Sequence, residues 1–290
     1  MNLTRRQFLR RLAAAGLVGL SATGAYATLV GPFHYELTET DIFIRGLPES
    51  FDGFRIAHLT DLHHSRLVSA AQVRRVVRIA VGARPDLAAL TGDYITSRRS
   101  YIEPCAEILG ALAGAAPAGA WAVLGNHDHY TDAELMARAL ARRGINVLEN
   151  AHTLLRRGSD TLQLAGVDDW GWGKADWGRA LRGVDRARPS LLLSHEPAVL
   201  DMPETRDLSL ILSGHTHGGQ INLPLVGSPA RLFDEFRYLA GLYERGGTQL
   251  YVSRGTGVIG VPVRLGARPE IALLRLRRAE EHDEARSEKS

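Results

Sequence analysis

The chain has 290 residues, 45% hydrophobic and 23% charged, which excludes global disorder, a collagen-like repeat and a multi-span membrane protein. A single cysteine, Cys105, excludes an intramolecular disulfide framework and a cysteine-cluster zinc site. The formal charge of +3 sits at one end: without residues 1–27 the balance is 31 basic against 32 acidic residues, so no nucleic-acid partner is expected.

In chain order, Thr4-Arg5-Arg6-Gln7-Phe8-Leu9-Arg10 precedes an uncharged stretch of 19 residues, Leu12 to Val30. Adjacent arginines before a weakly apolar run resemble a twin-arginine export signal, with Arg5 and Arg6 as the receptor-read pair. Ala25-Tyr26-Ala27 is a small-x-small cleavage site. The run is also close to the roughly 20 residues that span hydrocarbon. Residues 1–30 are therefore a signal peptide or a membrane anchor with its arginines on the cytoplasmic side. The expected partners are the twin-arginine export machinery and, if anchored, the membrane. The expected location is periplasmic, or extracytoplasmic on the inner membrane.

Residues 42–278 carry no repeat or long linker and read as one catalytic domain; the charged tail 279–290 reads as disordered. Short apolar runs predict strands at Arg55 to Thr60, Leu87 to Leu90, Trp121 to Leu124, Ser190 to Leu193 and Leu208 to Leu212. Val73, Val76, Val77 and Ala80 follow helical spacing behind a Ser69/Gln72 capping box. Thr131 with Glu134 predicts a second box before Leu135, Ala139 and Leu140, and Gly144 a stop. Strands alternating with helices, then a strand-rich half, predict an α/β fold of packed sheets flanked by helices.

Each predicted strand is followed by polar residues: Asp61-Leu62-His63, Gly92-Asp93, Gly125-Asn126-His127-Asp128, His195, and Gly214-His215-Thr216-His217. Carboxylate, amide carbonyl and imidazole are donors that Mn, Fe or Zn accept. Asp-x-His at a strand end is expected to aim both side chains one way, because residues i and i+2 share a face. Glycine beside them permits close backbone approach. Any one element is weak; five in this order form a site.

This set resembles the calcineurin-like metallophosphoesterase superfamily. The stretch Ser213-Gly-His-Thr-His-Gly-Gly-Gln220-Ile-Asn-Leu-Pro224, with Leu250-Tyr-Val-Ser-Arg-Gly255, is similar to its bacterial exported, YaeI-like phosphodiesterase branch. The resemblance implies a four-layer α/β/β/α sandwich of two mixed sheets flanked by helices. It implies two divalent metal ions, Mn favoured, one on Asp61, His63 and His217, the other on Asn126, His195 and His215, with Asp93 bridging. It further implies attack on a phosphodiester by a metal-bridging hydroxide, with His127 stabilising the transition state or protonating the leaving oxygen. Thr96 and Asp128 stand where the family's protein phosphatases carry Asp and Glu, which argues against that activity. The acid that would orient His127 is not identified; Asp128 is one candidate. A pyrophosphatase acting on a nucleotide-sugar lipid such as UDP-2,3-diacylglucosamine is an alternative, as is a non-catalytic metal-binding scaffold.

His64 and His129 adjoin the motifs and are candidate phosphate contacts, as is Arg254; Arg231 and Arg237 are weaker ones. His58 reads as a packed core histidine. The loop Asp168-Asp169-Trp170-Gly171-Trp172-Gly173 reads as a lid or, more simply, as a loop packed on the domain edge.

Overall fold

A computed structural model of the chain describes residues 4–233 and 236–279; the expected disordered tail lies, beyond Ala279, outside the described residues. The strands are β1 (Glu36–Ile44), β2 (Arg55–Leu59), β3 (Leu87–Thr91), β4 (Ala120–Val123), β5 (Ile145–Val147), β6 (Ala151–Arg157), β7 (Asp160–Gly166), β8 (Ser190–Leu193), β9 (Leu210–Ser213), β10 (Gly241–Arg245), β11 (Thr248–Val252) and β12 (Glu270–Arg278). They form two six-stranded mixed sheets, ordered β1-β12-β2-β3-β4-β5 and β10-β11-β9-β8-β7-β6. Within the first, β2, β3, β4 and β5 run parallel; within the second, β7, β8, β9 and β11 do.

Alternation along the strands explains the layers. In β3, Leu87 and Ala89 face the second sheet while Ala88 and Leu90 face helices. In β9, Leu210 and Leu212 face the first sheet and Ile211 the opposite layer. Strands buried on both faces read as unbroken apolar runs, which is why they were legible. Full burial of each such Leu or Ile is worth roughly 1.5–3 kcal/mol.

The α-helices of six residues or more among the described residues are α1 (Arg5–Ala25), α2 (Ala70–Gly82), α3 (Ile102–Ala115), α4 (Asn126–Thr131) and α5 (Ala133–Arg142). Helix α2 buries Val73, Val76, Val77 and Ala80 as its spacing predicts, and Gln72 Oε1 accepts the Ser69 N–H at 2.6 Å. The cap of α5 differs from expectation. Asp132 is its N-cap, accepting from Leu135 N at 3.0 Å, because Thr131 closes the preceding turn of α4 and donates to His127 O. Gly144 ends the helical stretch at φ +78°.

Helix α1 is exposed along its length, with no buried residue. The helical path continues to Phe33, a 29-residue segment long and apolar enough, by length and composition, to cross a membrane. Its end is docked: Arg264 N donates to Ala27 O at 2.9 Å, and Gly31 packs on the Arg264 carbonyl. Strand β1 then joins the first sheet from Glu36 onward, parallel to β12.

Candidate metal centre

Strands β2, β3, β4, β8 and β9 hand over at their carboxyl ends to the five polar motifs, as parallel sheets place ligand loops. The local geometry is not the extended one that spacing suggested. Asp61 (φ 51°), His63 (φ 50°), Asp93 (φ 55°), His215 (φ 70°) and His217 (φ 54°) all adopt the left-handed region. β2 ends at Leu59, so Asp61 and His63 converge through left-handed turns and not through a shared strand face. This conformation costs about 1–2 kcal/mol per non-glycine residue. Cross-loop bonds hold it: Asp61 N to Gly92 O and His63 N to Asp93 O, each 3.0 Å. A β-carbon at Gly214 would overlap Thr60 Oγ1 and Asp61 Oδ2, so only glycine lets these loops close.

The side chains meet in two groups around Asp93. On one side His63 Nε2 lies 3.1 Å from His217 Nε2, and His217 Nε2 lies 3.4 Å from Asp61 Oδ1. On the other, His195 Nε2 lies 3.0 Å from Asn126 Oδ1 and 3.1 Å from His215 Nδ1. Asp93 Oδ2 is 3.4 Å from His63 Nε2 and 3.4 Å from His195 Nε2. Asn126 Nδ2 donates to Tyr130 OH at 2.8 Å, which turns its carbonyl oxygen to His195. His195 Nδ1 donates to the Thr91 carbonyl at 2.7 Å and leaves Nε2 for the site.

Burial pushes Asp61 up to about 6 and pulls His63 down to about 3 and His215 down to about 4, so the imidazoles are neutral. Burial, then His63 and Arg264, hold His217 well below its usual range. Burial alone would raise Asp93, but His195 and then His63 hold its carboxyl far below the carboxylate range. Burial alone would lower His195, but Asp93 and then Asp61 hold it well above the usual histidine value. Lone pairs of carboxylate, amide and imidazole thus converge with few protons between them. That donor set fits borderline divalent cations.

His127 lines the same cavity of about 290 Å³ with Asp93, Asn126, His215 and His217. Its Nδ1 is 2.7 Å from the Thr96 carbonyl. A carbonyl only accepts, so Nδ1 carries the proton and Nε2 is the ring's other nitrogen, in a side chain that also groups with His63 and Asp93. The orienting group that sequence could not name is therefore a backbone oxygen. It belongs to the residue standing where protein phosphatases carry their second Asp. Asp128 plays a different part. It accepts from Asp93 N (2.8 Å), Gly125 N (3.0 Å) and Tyr94 N (3.1 Å), and so clamps the loop that carries Asp93.

The three candidate phosphate contacts are committed elsewhere. His64 is buried, with Nδ1 on the Val68 carbonyl at 2.8 Å. His129 pairs with Asp168 at 2.7 Å. Arg254 is bound to Glu36 and Glu270 and turns from the metal cavity to a neighbouring one. Arg237 pairs with Asp201, and Arg231 is exposed. His58 is a core histidine, 2.8 Å from Thr91 Oγ1.

The roles of four residues escaped the sequence reading. Tyr130 touches both Asn126 and His127, and Trp172 of the tryptophan loop meets Tyr130 edge-on at 4.1 Å. Phe236 stacks over His215 at 6.2 Å. Thr96 orients His127 through its main chain. Arg264 is fully buried, donates to the carbonyls of His217, Arg254, Gly255, Gly257 and Ala267, and braces His217 from behind. The spacing Asn126/Tyr130, one helical turn, was the available signal for Tyr130. The other three had none.

Sheets sandwiched between helices, with Asp, His and Asn donors converging at strand ends, define the class of metal-dependent phosphoesterases. Comparison with known proteins agrees. Residues 54–219, which include every donor from Asp61 to His217, match the family model of calcineurin-like phosphoesterases. The chain is 33% identical over 281 residues to the uncharacterized metallophosphoesterase YkuE of Bacillus subtilis (strain 168), covering 95% of this chain and 98% of that one. It is 31% identical over 278 residues to phosphodiesterase YaeI of Escherichia coli (strain K12), covering 94% and 99%. It is also 35% identical over 259 residues to a transmembrane protein with metallophosphoesterase domain from Danio rerio, covering 84% of this chain and 58% of that one. The chain belongs to the calcineurin-like phosphoesterase family, and is a metal-dependent phosphoric ester hydrolase.

Proposed function

We propose that the chain is an extracytoplasmic phosphodiesterase working with two divalent ions, Mn favoured. The observation that carries this is the central place of Asp93, whose Oδ2 stands 3.4 Å from the first nitrogen of each donor group. Asp61, His63 and His217 would hold one ion, Asn126, His195 and His215 the other, and Asp93 both. Ions bound there supply Lewis-acid charge and an acidified water. With Nδ1–H held on Thr96, a proton for the leaving oxygen would come from Nε2–H of the doubly protonated His127 ring. Phe236, Ile259 and Ala230 add an apolar part to the lining of the same cavity, Phe236 beside His215. The diester preference is supported by the name of the YaeI relative and by Thr96 and Asp128, which depart from the protein-phosphatase motifs.

A panel of phosphoesters offered to metal-stripped protein, with Mn, Fe or Zn restored singly, tests this reading. Diester hydrolysis restored best by Mn, at two equivalents per chain, is expected. Saturation at one equivalent, or a preference for monoesters, would overturn it. Export through the twin-arginine route rests on Arg5-Arg6 before α1; Arg5→Lys with Arg6→Lys should retain the protein in the cytoplasm.

A further inference from the structure

The loops that close the metal cavity present aliphatic and aromatic side chains to solvent. Residues 223–227 form a tight hairpin, Leu223 N to Gly227 O at 2.9 Å and Gly227 N to Leu223 O at 2.8 Å. At its tip Leu225 is fully exposed and Val226 is 79% exposed. The next loop exposes Leu232 (86%) and Phe233 (61%), and the loop before Arg264 exposes Val261 (65%). Isolated exposed apolar residues are ordinary; five on three adjoining loop tips are not.

The 223–227 and 259–263 tips spring from one knot of hydrogen bonds. Ile259 N donates to Gln220 Oε1 at 3.0 Å, Leu265 N to Gln220 O at 2.9 Å, and Asn222 N to Leu265 O at 2.7 Å. The residue before Leu265 is Arg264, which receives the end of the apolar helical segment at Ala27 and Gly31. The exit of the membrane-length segment and the roots of the tips are therefore a few residues apart. Leu29 and Val30, at that exit, are themselves exposed. The same loops give the cavity Gly219, Gln220, Ala230, Phe236 and Ile259, so apolar side chains share its lining with the metal donors, Phe236 beside His215.

We propose that the 223–227, 231–233 and 259–263 tips insert into the bilayer that α1 enters, seating the cavity mouth at the membrane surface, so that the substrate is a lipid phosphoester. The occupant of this rim is a lipid leaflet. Continuity with an apolar segment long enough to span it favours lipid over a protein partner. The substrate class follows from the mixed lining: phosphate at the Asp, Asn and His side chains, apolar chain or backbone along Phe236 and Ile259. The substrate assignment rests on the phosphoesterase reading above.

The test uses the full chain reconstituted in vesicles of phosphatidylethanolamine and phosphatidylglycerol. Cys105 is buried, so Val226→Cys can be labelled selectively with an environment-sensitive dye, with Leu154→Cys on β6 as the control site. The dye at 226 is expected to be quenched by acyl-chain nitroxides and shielded from iodide, and the dye at 154 the reverse. Iodide access at 226 equal to that at 154 overturns the insertion. A dye exposed in protein-free vesicles but shielded in native membranes also overturns it, and marks a protein site.

In the same vesicles, Leu225→Ser with Val226→Ser should keep hydrolysis of soluble bis-(p-nitrophenyl) phosphate within about twofold. Hydrolysis of a phospholipid p-nitrophenyl diester embedded in the bilayer should fall by about tenfold or more, on the scale of two lost apolar anchors. Equal effects on both substrates overturn the lipid assignment. Wild-type protein inactive on both would sink the phosphoesterase reading, while the dye measurement would still decide the rim.

Discussion

The Asp128 carboxylate accepts the backbone N–H of Asp93 at 2.8 Å and does not reach the ring of His127. Two adjacent residues of one motif thus serve different ends. His127 faces the cavity, and Asp128 turns back to hold the left-handed turn at Asp93. Asp128→Asn keeps the shape and one acceptor oxygen but replaces the other with an NH2 group that cannot accept a backbone N–H. Metal affinity at both sites should fall about 10–100-fold, the usual scale for a residue supporting a ligand. Isothermal titration of metal-stripped protein checks this. Unchanged affinity with a slower maximal rate would instead place Asp128 in the proton-transfer machinery.

His127→Ala should keep both metal equivalents and lose roughly 10²–10⁴ in rate. The loss should be smaller for p-nitrophenyl than for alkyl diesters, because p-nitrophenolate leaves without a proton. Equal losses on the two would make His127 an electrostatic clamp and not a proton donor. Loss of metal would show that it ligates.

His195 without metal is held protonated by Asp93, with Nδ1 on the Thr91 carbonyl and Nε2 aimed at Asn126 and Asp93. A metal taking Nε2 must displace that proton. Binding should therefore release about one proton at neutral pH, and affinity should rise by about tenfold per pH unit below the raised pKa. Titration calorimetry in buffers of different ionisation enthalpy measures the release. Heats independent of buffer would contradict it.

His58 is buried beside Thr91, and burial lowers its pKa from 6.5 to about 4. In the unfolded chain it protonates as pH falls through 6.5, whereas in the folded protein it does not until about 4. Its neutral form therefore contributes stability above the unfolded value that is lost as pH falls between these limits, up to roughly 3 kcal/mol. His58→Leu should flatten the stability profile across this window in denaturant titrations. An unchanged slope would show that other groups dominate acid unfolding.

How far the site was legible depended on how locally each feature was encoded. The apolar runs of β2, β3, β8 and β9 announce strands buried on both faces, because two covered faces demand two apolar sides. The polar residue types behind them announce a metal-ligating chemistry. The seven candidate donors could be named in this way because each motif lies within a few residues of its strand.

The orientation of those donors was decided by tertiary structure alone. Asp61 and His63 read as a shared strand face, yet they converge through left-handed turns held by Gly92 and Asp93 from another loop. His64, His129 and Arg254 have the right chemistry for phosphate, but Val68, Asp168 and Glu270 claim them. The Thr96 carbonyl has no side-chain signature, and Arg264 gathers carbonyls from across almost fifty residues of chain. Residue types and their order are local properties and survive in the sequence. Which donor meets which acceptor depends on loops distant in the chain, and only the packed sheets bring those together.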